Sequence, residues 1–81
     1  MAKIVLIYAP DLSNPDERRK VMDIIEKMKT KSRIEIFSEN CFIMNSIQLS
    51  LQLIKKVKEV LSNGRILYLN VEDSELRRWP E

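Results

Sequence analysis

The side chains of this 81-residue sequence that could take part in chemistry are mostly carboxylates. With no histidine and a single glycine, the sequence lacks the base of a Ser-His or Cys-His pair and the glycine loops that bind phosphates or dinucleotides. The lone cysteine, Cys41, lies between Asn40 and Phe42 in an apolar segment, so we expect a small buried hydrophobe there. The remaining candidates are acids that follow predicted strands or open a predicted helix, namely Asp11, Asp16, Glu17, Glu72 and Asp73.

Carboxylates in these places could carry out one kind of chemistry. Two or three of them, with water molecules, can hold a Mg²⁺ ion, and a divalent-metal-dependent nuclease with Asp11 as its catalytic residue is the enzymatic interpretation. Acids at helix starts and strand ends usually act as caps and solubilising groups instead. We therefore expect no catalysis, no metal site and no cofactor, with Mg²⁺ at Asp11 as the alternative.

The basic side chains are the second chemically useful group. They outnumber the acids by 14 to 12, and the resulting net charge of +2 gives the whole chain little attraction for nucleic acid. Clusters of cations on one surface are nevertheless what phosphate groups bind. The candidate nucleic-acid-binding residues are Arg18, Arg19, Lys20, Lys27, Lys29, Lys31 and Arg33. Because Asp23 and Glu26 are interleaved with them, an ordinary solvated helix surface is the alternative.

The first half of the chain predicts a strand followed by a helix. Residues 3–8 form a run of β-branched and aromatic residues that is typical of a strand covered on both faces. Asn14 as N-cap, Pro15 at the first helical position and Glu17 in a capping-box position predict the start of the helix. Its core-facing apolar stripe, at spacings of three and four residues, consists of Val21, Ile24, Ile25 and Met28.

The second half completes a βαββαβ order. Residues 33–38 and 41–44 predict an antiparallel hairpin. A second helix is predicted from Asn45 or Ser46 to about Ser62. Residues 65–71 predict a fourth strand, which is followed by a tail over 72–81. With right-handed crossovers, both helices lie on one face of a four-stranded antiparallel sheet, the ferredoxin-like arrangement of the α+β class. We expect one such domain over residues 1–81. A flavodoxin-like parallel domain would need a helix between strands two and three, where there is no room.

The apolar residues exceed what a monomer of this fold requires. Helices cover one face of the sheet, yet strands one and four carry apolar side chains on both faces, and the second helix has an apolar arc of roughly 200°. A homodimer that packs sheet on sheet would cover this surplus, and a tail that folds back with Leu76 and Trp79 is the alternative. The candidate interface residues are Val5, Ile7, Leu49, Leu53, Val60, Ile66, Tyr68 and Trp79.

The sequence resembles the Cas-two family, the small CRISPR-associated subunit of the spacer-acquisition complex. That family has a strand ending in Tyr-Asp before a basic helix, then an Arg-led strand with an S-x-F-like phrase, and a short terminal strand. In this chain the corresponding segments are, in the same order, KIVLIYAPDLSNPDERRKV, RIEIFSEN and RILYLNV. The resemblance implies a symmetric dimer whose terminal segment joins the partner's sheet and which contacts nucleic acid or another protein. Because Ala9 follows Tyr8 and the acid comes only at Asp11, the resemblance favours a structural role over nuclease activity.

The sequence therefore predicts a small dimeric nucleic-acid-associated scaffold without catalysis. The alternative is a protein-interaction or regulatory module, of the kind encoded by viruses or mobile elements, that binds a partner through its apolar sheet face. No apolar run approaches the ~20 residues that span a membrane, and no signal-peptide cleavage site follows the first strand, so we expect a cytoplasmic protein with no membrane partner.

Overall fold

A computed structural model describes residues 2–79 as two helices and one four-stranded sheet. The elements are β1 Ala2–Ala9, α1 Pro15–Lys29, β2 Glu35–Ser38, β3 Cys41–Met44, α2 Ile47–Lys58 and β4 Arg65–Glu72, followed by a 3-10 turn at Asp73–Glu75. Neighbouring strands pair antiparallel in the order β2-β3-β1-β4. The prediction of an α+β chain with two helices and a four-stranded antiparallel sheet is confirmed, and the arrangement is consistent with a ferredoxin-like fold.

The helices begin where the sequence predicts. Asn14 Oδ1 accepts a hydrogen bond from the backbone N–H of Glu17 at 3.3 Å, with Pro15 in the first turn. Ser46 caps α2 in the same way, because its Oγ accepts from the backbone N–H of Leu49 at 3.2 Å. The prediction that α2 reaches about Ser62 is wrong, since the helix ends at Lys58. The residues beyond it form a loop whose polar groups bind side chains from the start of α1.

The core lies between the helices and one face of the sheet. β1 pairs with β3 on one side and, over all eight of its residues, with β4 on the other. Side chains alternate along a strand, so every second residue of β1 points to the helices. The buried cluster on this face contains Ile4, Leu6 and Tyr8 of β1, Phe42 and Met44 of β3, Val21, Ile25 and Met28 of α1, and Leu53 and Val57 of α2.

Strand register corrects the predicted sheet interface. Residues that lie directly opposite each other in antiparallel strands point to the same face. On the face away from the helices, here called the open face, the paired residues of β1 and β4 are Val5, Ile7, Leu67 and Leu69. Ile66 and Tyr68 lie opposite core residues of β1 and therefore belong to the helix-covered face. The prediction that these two residues share a surface with Val5 and Ile7 is wrong. Alternation within β4 shows which of its residues share a face, but it does not show which face of β1 they adjoin.

The surplus apolar residues of α2 are also different from those predicted. Leu53 is 0% exposed, so its assignment to an interface is wrong. Leu49 and Val60 are partly buried against the core. The exposed apolar side chains of α2 are instead Ile47 and Leu51. The apolar arc of the helix is as wide as predicted, but its buried centre is at Leu53. The exposed edge of the arc is therefore the one that contains Ile47 and Leu51, opposite the predicted edge.

The tail crosses the open face from one edge of the sheet to the other. Arg78 donates two hydrogen bonds to the Glu35 carboxylate, from Nε at 2.9 Å and from Nη2 at 2.6 Å. Because Glu35 is on β2 and the tail leaves β4, the chain must pass over the central strands. Val5 and Ile43, which lie in the same row as Glu35, are buried although no helix covers them. Trp79 remains 89% exposed, so the tail covers part of this face without it.

The Arg78–Glu35 pair makes tail docking dependent on pH. Hydrogen bonds from Arg78 hold the pKa of the Glu35 carboxyl below its usual range. A carboxyl whose pKa is lowered by folding stabilises the fold above its unfolded pKa and loses that contribution as the pH falls through the folded pKa. We expect Arg78→Gln to lower the free energy of unfolding at pH 7 and to have a much smaller effect near pH 3, as measured by urea unfolding.

Arg77→Gln is the matched control, since it removes the same charge from an exposed neighbour that, among residues 2–79, is in no ion pair. An Arg78→Gln effect that persists unchanged at pH 3 would contradict the assignment of this pair as the clamp of the tail.

Candidate nucleic-acid interface

One end of the domain carries a groove with basic walls. Strands and helices alternate in direction, so the starts of β1 and β2 lie beside the ends of α1 and β3. The groove between them, here called the basic groove, has a volume of about 420 Å³. It is lined by Lys3, Lys29, Ser32, Arg33, Ile34, Glu35, Ile43, Met44 and Asn45. The fold thus adds Lys3 to two predicted phosphate-binding residues that are far from it in sequence.

The cations of the basic groove are not held in ion pairs, although the charge of Lys3 also acts on Glu35 and the acidic turn Asp73–Glu75 follows β4 at the same end of the sheet. Among the described residues, Lys3, Lys29 and Arg33 form no ion pair. The one acid in the lining, Glu35, is already neutralised by Arg78. Three positive side chains around one concavity, with Ser32 and Asn45 as polar neighbours, form a suitable surface for an anionic ligand such as phosphate.

A second concavity lies on the other side of the last turn of α1. It has a volume of about 320 Å³ and is lined by Lys27, Met28, Thr30, Lys31 and Lys56. Lys27 is paired with Asp23 at 3.0 Å, whereas Lys31 and Lys56 form no ion pair within the described part of the chain. Cations here also stabilise the negative end of the helix dipole. The end of α1 is therefore bordered by basic side chains on both sides.

The remaining predicted phosphate-binding residues lie elsewhere. Arg18 pairs with Glu39 of the turn between β2 and β3, and Arg19 pairs with Asp16 at 2.9 Å. These residues and Lys20 lie in the first turns of α1, at the opposite end of the helix from the basic groove. The structure thus brings Lys29, Lys31 and Arg33 together and separates them from Arg18, Arg19 and Lys20.

The open face is unsuited to stacking of nucleic-acid bases. Base stacking on a sheet requires aromatic side chains on its exposed face. The central strands offer Ile7 and Cys41 there, and the exposed aromatic residue Phe37 is on the edge strand. Burial, and then the charge of Glu35, raise the pKa of the Cys41 thiol, which disfavours the reactive thiolate. The central strands of this face are apolar, and the Glu35–Arg78 pair is a charged group at its edge.

Asp11 lies at the far end of the domain from the basic groove and is held by hydrogen bonds. Its Oδ1 accepts from the Ser13 hydroxyl at 2.6 Å and from the Ser13 backbone N–H at 3.0 Å. Its Oδ2 accepts from Ser62 Oγ at 3.1 Å and from Asn63 Nδ2 at 3.4 Å. These bonds, those from Ser13 first, lower the pKa of Asp11 below its usual value. Among residues 2–79, no group of three or more acidic, histidine or cysteine side chains is placed to hold a metal ion.

Glu17 is a buried carboxylate, whereas the sequence predicts an exposed helix cap or, in the alternative interpretation, a Mg²⁺ ligand. It is 1% exposed, and its side chain reaches the loop between α2 and β4 rather than its own helix start. Oε1 accepts from the backbone N–H of Gly64 at 3.1 Å, and Oε2 lies 3.0 Å from Ser62 Oγ, whose single proton is shared between Glu17 and Asp11. A Cβ added at Gly64 would overlap Glu17 Oε1 and lie 3.1 Å from Cε1 of Tyr8. The only glycine of the chain therefore permits this close approach.

Tyr8 adds a buried hydroxyl to the same cluster. Burial first, and then the negative charges of Glu17 and Asp11, raise the pKa of the Tyr8 phenol above its usual value. The hydroxyl finds no partner with ordinary hydrogen-bond geometry among the described residues. The neutral phenol beside the Glu17 carboxylate completes the packing at this end.

The Glu17–Gly64 contact predicts a strong coupling between two residues far apart in sequence. Gly64→Ala should lower the free energy of unfolding by about 2 kcal/mol, because the added methyl group displaces a buried carboxylate from its donors. In a Glu17→Ala background the same substitution should cost far less, since the clashing group is gone. Urea unfolding of both single variants and the double variant measures this coupling. Equal costs of Gly64→Ala in both backgrounds would contradict it, and Asn63→Ala serves as the loop control.

Comparisons with known proteins do not assign this geometry to a family. No model of a known protein family matches the chain, and no curated protein matches it significantly. Within residues 2–79, neither helix has the length and apolarity required to cross a membrane. The Cas-two resemblance thus stays a prediction from the sequence.

Proposed function

We propose that this chain is a small homodimeric nucleic-acid-associated scaffold of ferredoxin-like fold, without catalysis, in the role that the Cas-two resemblance implies. The observation that carries the proposal is the basic groove. Lys3, Lys29 and Arg33 line this groove, and Lys31 and Lys56 line the second concavity beside it; within residues 2–79 none of the five is in an ion pair. Such a surface binds the phosphate backbone irrespective of base sequence.

The separation between the basic groove and Asp11 supports a role without catalysis. β1 lies beside the groove at Lys3 and ends at Ala9 before Asp11, which places the acid about 20 Å away at the rise of an extended strand. A nuclease requires its metal-binding acids at the scissile phosphate. The carboxylate of Asp11 is also occupied by donors from Ser13, Ser62 and Asn63. Phosphate held in the basic groove would thus be far from the one candidate catalytic residue.

Paired substitutions of equal charge test this proposal. Lys29→Gln with Arg33→Gln removes two cations from the basic groove, and Arg18→Gln with Arg19→Gln removes two that are in ion pairs. For a labelled DNA duplex measured by fluorescence anisotropy, we expect the first pair to weaken binding by about tenfold or more at low salt and to reduce the slope of log K against log salt by about 2. The second pair should leave both quantities nearly unchanged.

Two outcomes would contradict the proposal. One is the absence of duplex binding by the unsubstituted chain at low ionic strength. The other is an equal effect of the two pairs, which would indicate that only the net charge of the chain matters.

A second candidate function, binding of a protein partner, is favoured by the apolar part of the open face that the tail leaves uncovered. Leu67 and Leu69 are exposed there beside the half-buried Ile7 and Cys41, and Phe37 is exposed on the edge strand β2. Replacing Phe37 and Leu67 by Ser should at least halve the fluorescence of a dye that binds apolar surface, while duplex binding stays unchanged. Unchanged dye fluorescence would argue against an accessible apolar face.

A further inference from the structure

The two edges of the sheet are protected very differently. β2 has four residues, carries Glu35, and has a register irregularity between Ile36 and Ser38. Short length, charge and bulges are the features that keep an edge strand from pairing with another chain. β4 has eight residues that pair with β1 without interruption, and Arg65–Glu72 contains no proline, glycine or lysine. Among residues 2–79, no strand pairs with its outer edge.

β4 is also an apolar strand that the domain leaves uncovered. Its sequence is RILYLNVE, yet none of its eight residues is buried. On the open face Leu67 and Leu69 are exposed, and on the other face Tyr68 is exposed. The neighbouring helix α2 adds the exposed residues Ile47 and Leu51. A long edge with open hydrogen-bonding groups and apolar side chains on both faces is a surface suited to another strand.

We propose that β4 pairs antiparallel with β4 of a second copy of this chain, which joins the two sheets into one of eight strands. The proposal rests on the homodimer proposed above and says which surface forms it. Two antiparallel strands related by a two-fold axis must have that axis perpendicular to the sheet, so both pairs of helices lie on the same side. Residues of one face then oppose residues of the same face.

This symmetry restricts the register, because one residue of β4 must lie opposite the same residue of the partner subunit. That central residue defines the register. Centred on Leu69, the open-face pairs are all apolar, because Leu69 lies opposite itself and Leu67 lies opposite Val71 of the partner subunit. Centred on Tyr68, Val71 would lie opposite Arg65 of the partner subunit, which buries no apolar pair at that position. The apolar match selects the register centred on Leu69.

The charges beside β4 match a second copy in this orientation. Lys55 and Lys58, near the end of α2, and Arg65 outnumber Glu59 at the start of the strand, while the acidic turn Asp73–Glu75 follows its end, beside the basic groove. An antiparallel copy sets the basic end of one chain against the acidic end of the other, twice in the dimer. A parallel strand would set like charges together, so the charge pattern favours a second copy in the antiparallel orientation.

The mass of the full chain in solution, measured by light scattering over a range of concentrations, tests the proposal. Leu69→Lys should weaken dimerisation at least tenfold, because it places two ammonium groups opposite each other at the two-fold axis. Phe37→Lys is the matched control, since Phe37 is on the opposite edge strand, β2, and its exposure, 50%, is close to the 41% of Leu69. We expect this variant to remain dimeric, with circular dichroism confirming that both variants fold.

A mixing experiment makes the test specific for the register. Leu69→Lys and Leu69→Glu should each be monomeric alone and should form a heterodimer when mixed, because only residue 69 lies opposite itself. Failure of this rescue, or a dimer that Phe37→Lys disrupts and Leu69→Lys does not, would overturn β4 pairing while the homodimer itself would stand. A monomer at every concentration would overturn both, and duplex binding by the basic groove would still be decided by the salt series.

Discussion

The buried carboxylate of Glu17 is the interaction on which the arrangement of the other elements depends. An ionised group with so little exposure is strongly destabilising unless hydrogen-bond donors surround it. Gly64 and Ser62 provide these donors, and both belong to the loop that leads into β4. The start of α1 is thereby fixed to the start of β4. This fixes the register of β4 on β1, and with it the side chains that β4 presents to either face.

The elements of this fold could be predicted because their signals are local. The caps at Asn14 and Ser46 and the apolar stripe of α1 act over three or four residues, and they form as expected. The early end of α2 could not be predicted from Asn63-Gly64, a common helix stop. The glycine is needed there for its close approach to Glu17 rather than for ending the helix.

The predictions that failed all required the relation of one element to another. The alternation in β4 separates Ile66 from Leu67 correctly, but only pairing with β1 shows which of them is on the open face. A wide apolar arc on α2 does not reveal that its buried centre is Leu53. Lys3 was missed for the same reason, since its closeness to Arg33 arises from antiparallel strands and has no counterpart in the linear sequence.

Charge clustering in the sequence is likewise a weaker guide than the pairing of charges in space. Arg18 and Lys29 belong to the same helix and carry the same charge. Arg18 meets the acid of the β2–β3 turn, whereas Lys29 meets no acid within the described part of the chain. Solvent-exposed ion pairs contribute little stability, but they remove a cation from the set available to a phosphate. The end of the domain at Glu17 is therefore organised by internal polar contacts, whereas the basic groove at the other end has three cations that form no ion pair within residues 2–79.

The shortness and irregularity of β2 determine how far assembly by strand pairing can go. A subunit with two open edges adds copies at both ends and grows into a fibre of unlimited length. A subunit with one open edge can pair with only one other copy, because β2 then forms both outer edges of the joined sheet. In the β4-paired dimer proposed above, the short β2 with its irregularity between Ile36 and Ser38 would form both outer edges and would limit the assembly to two copies.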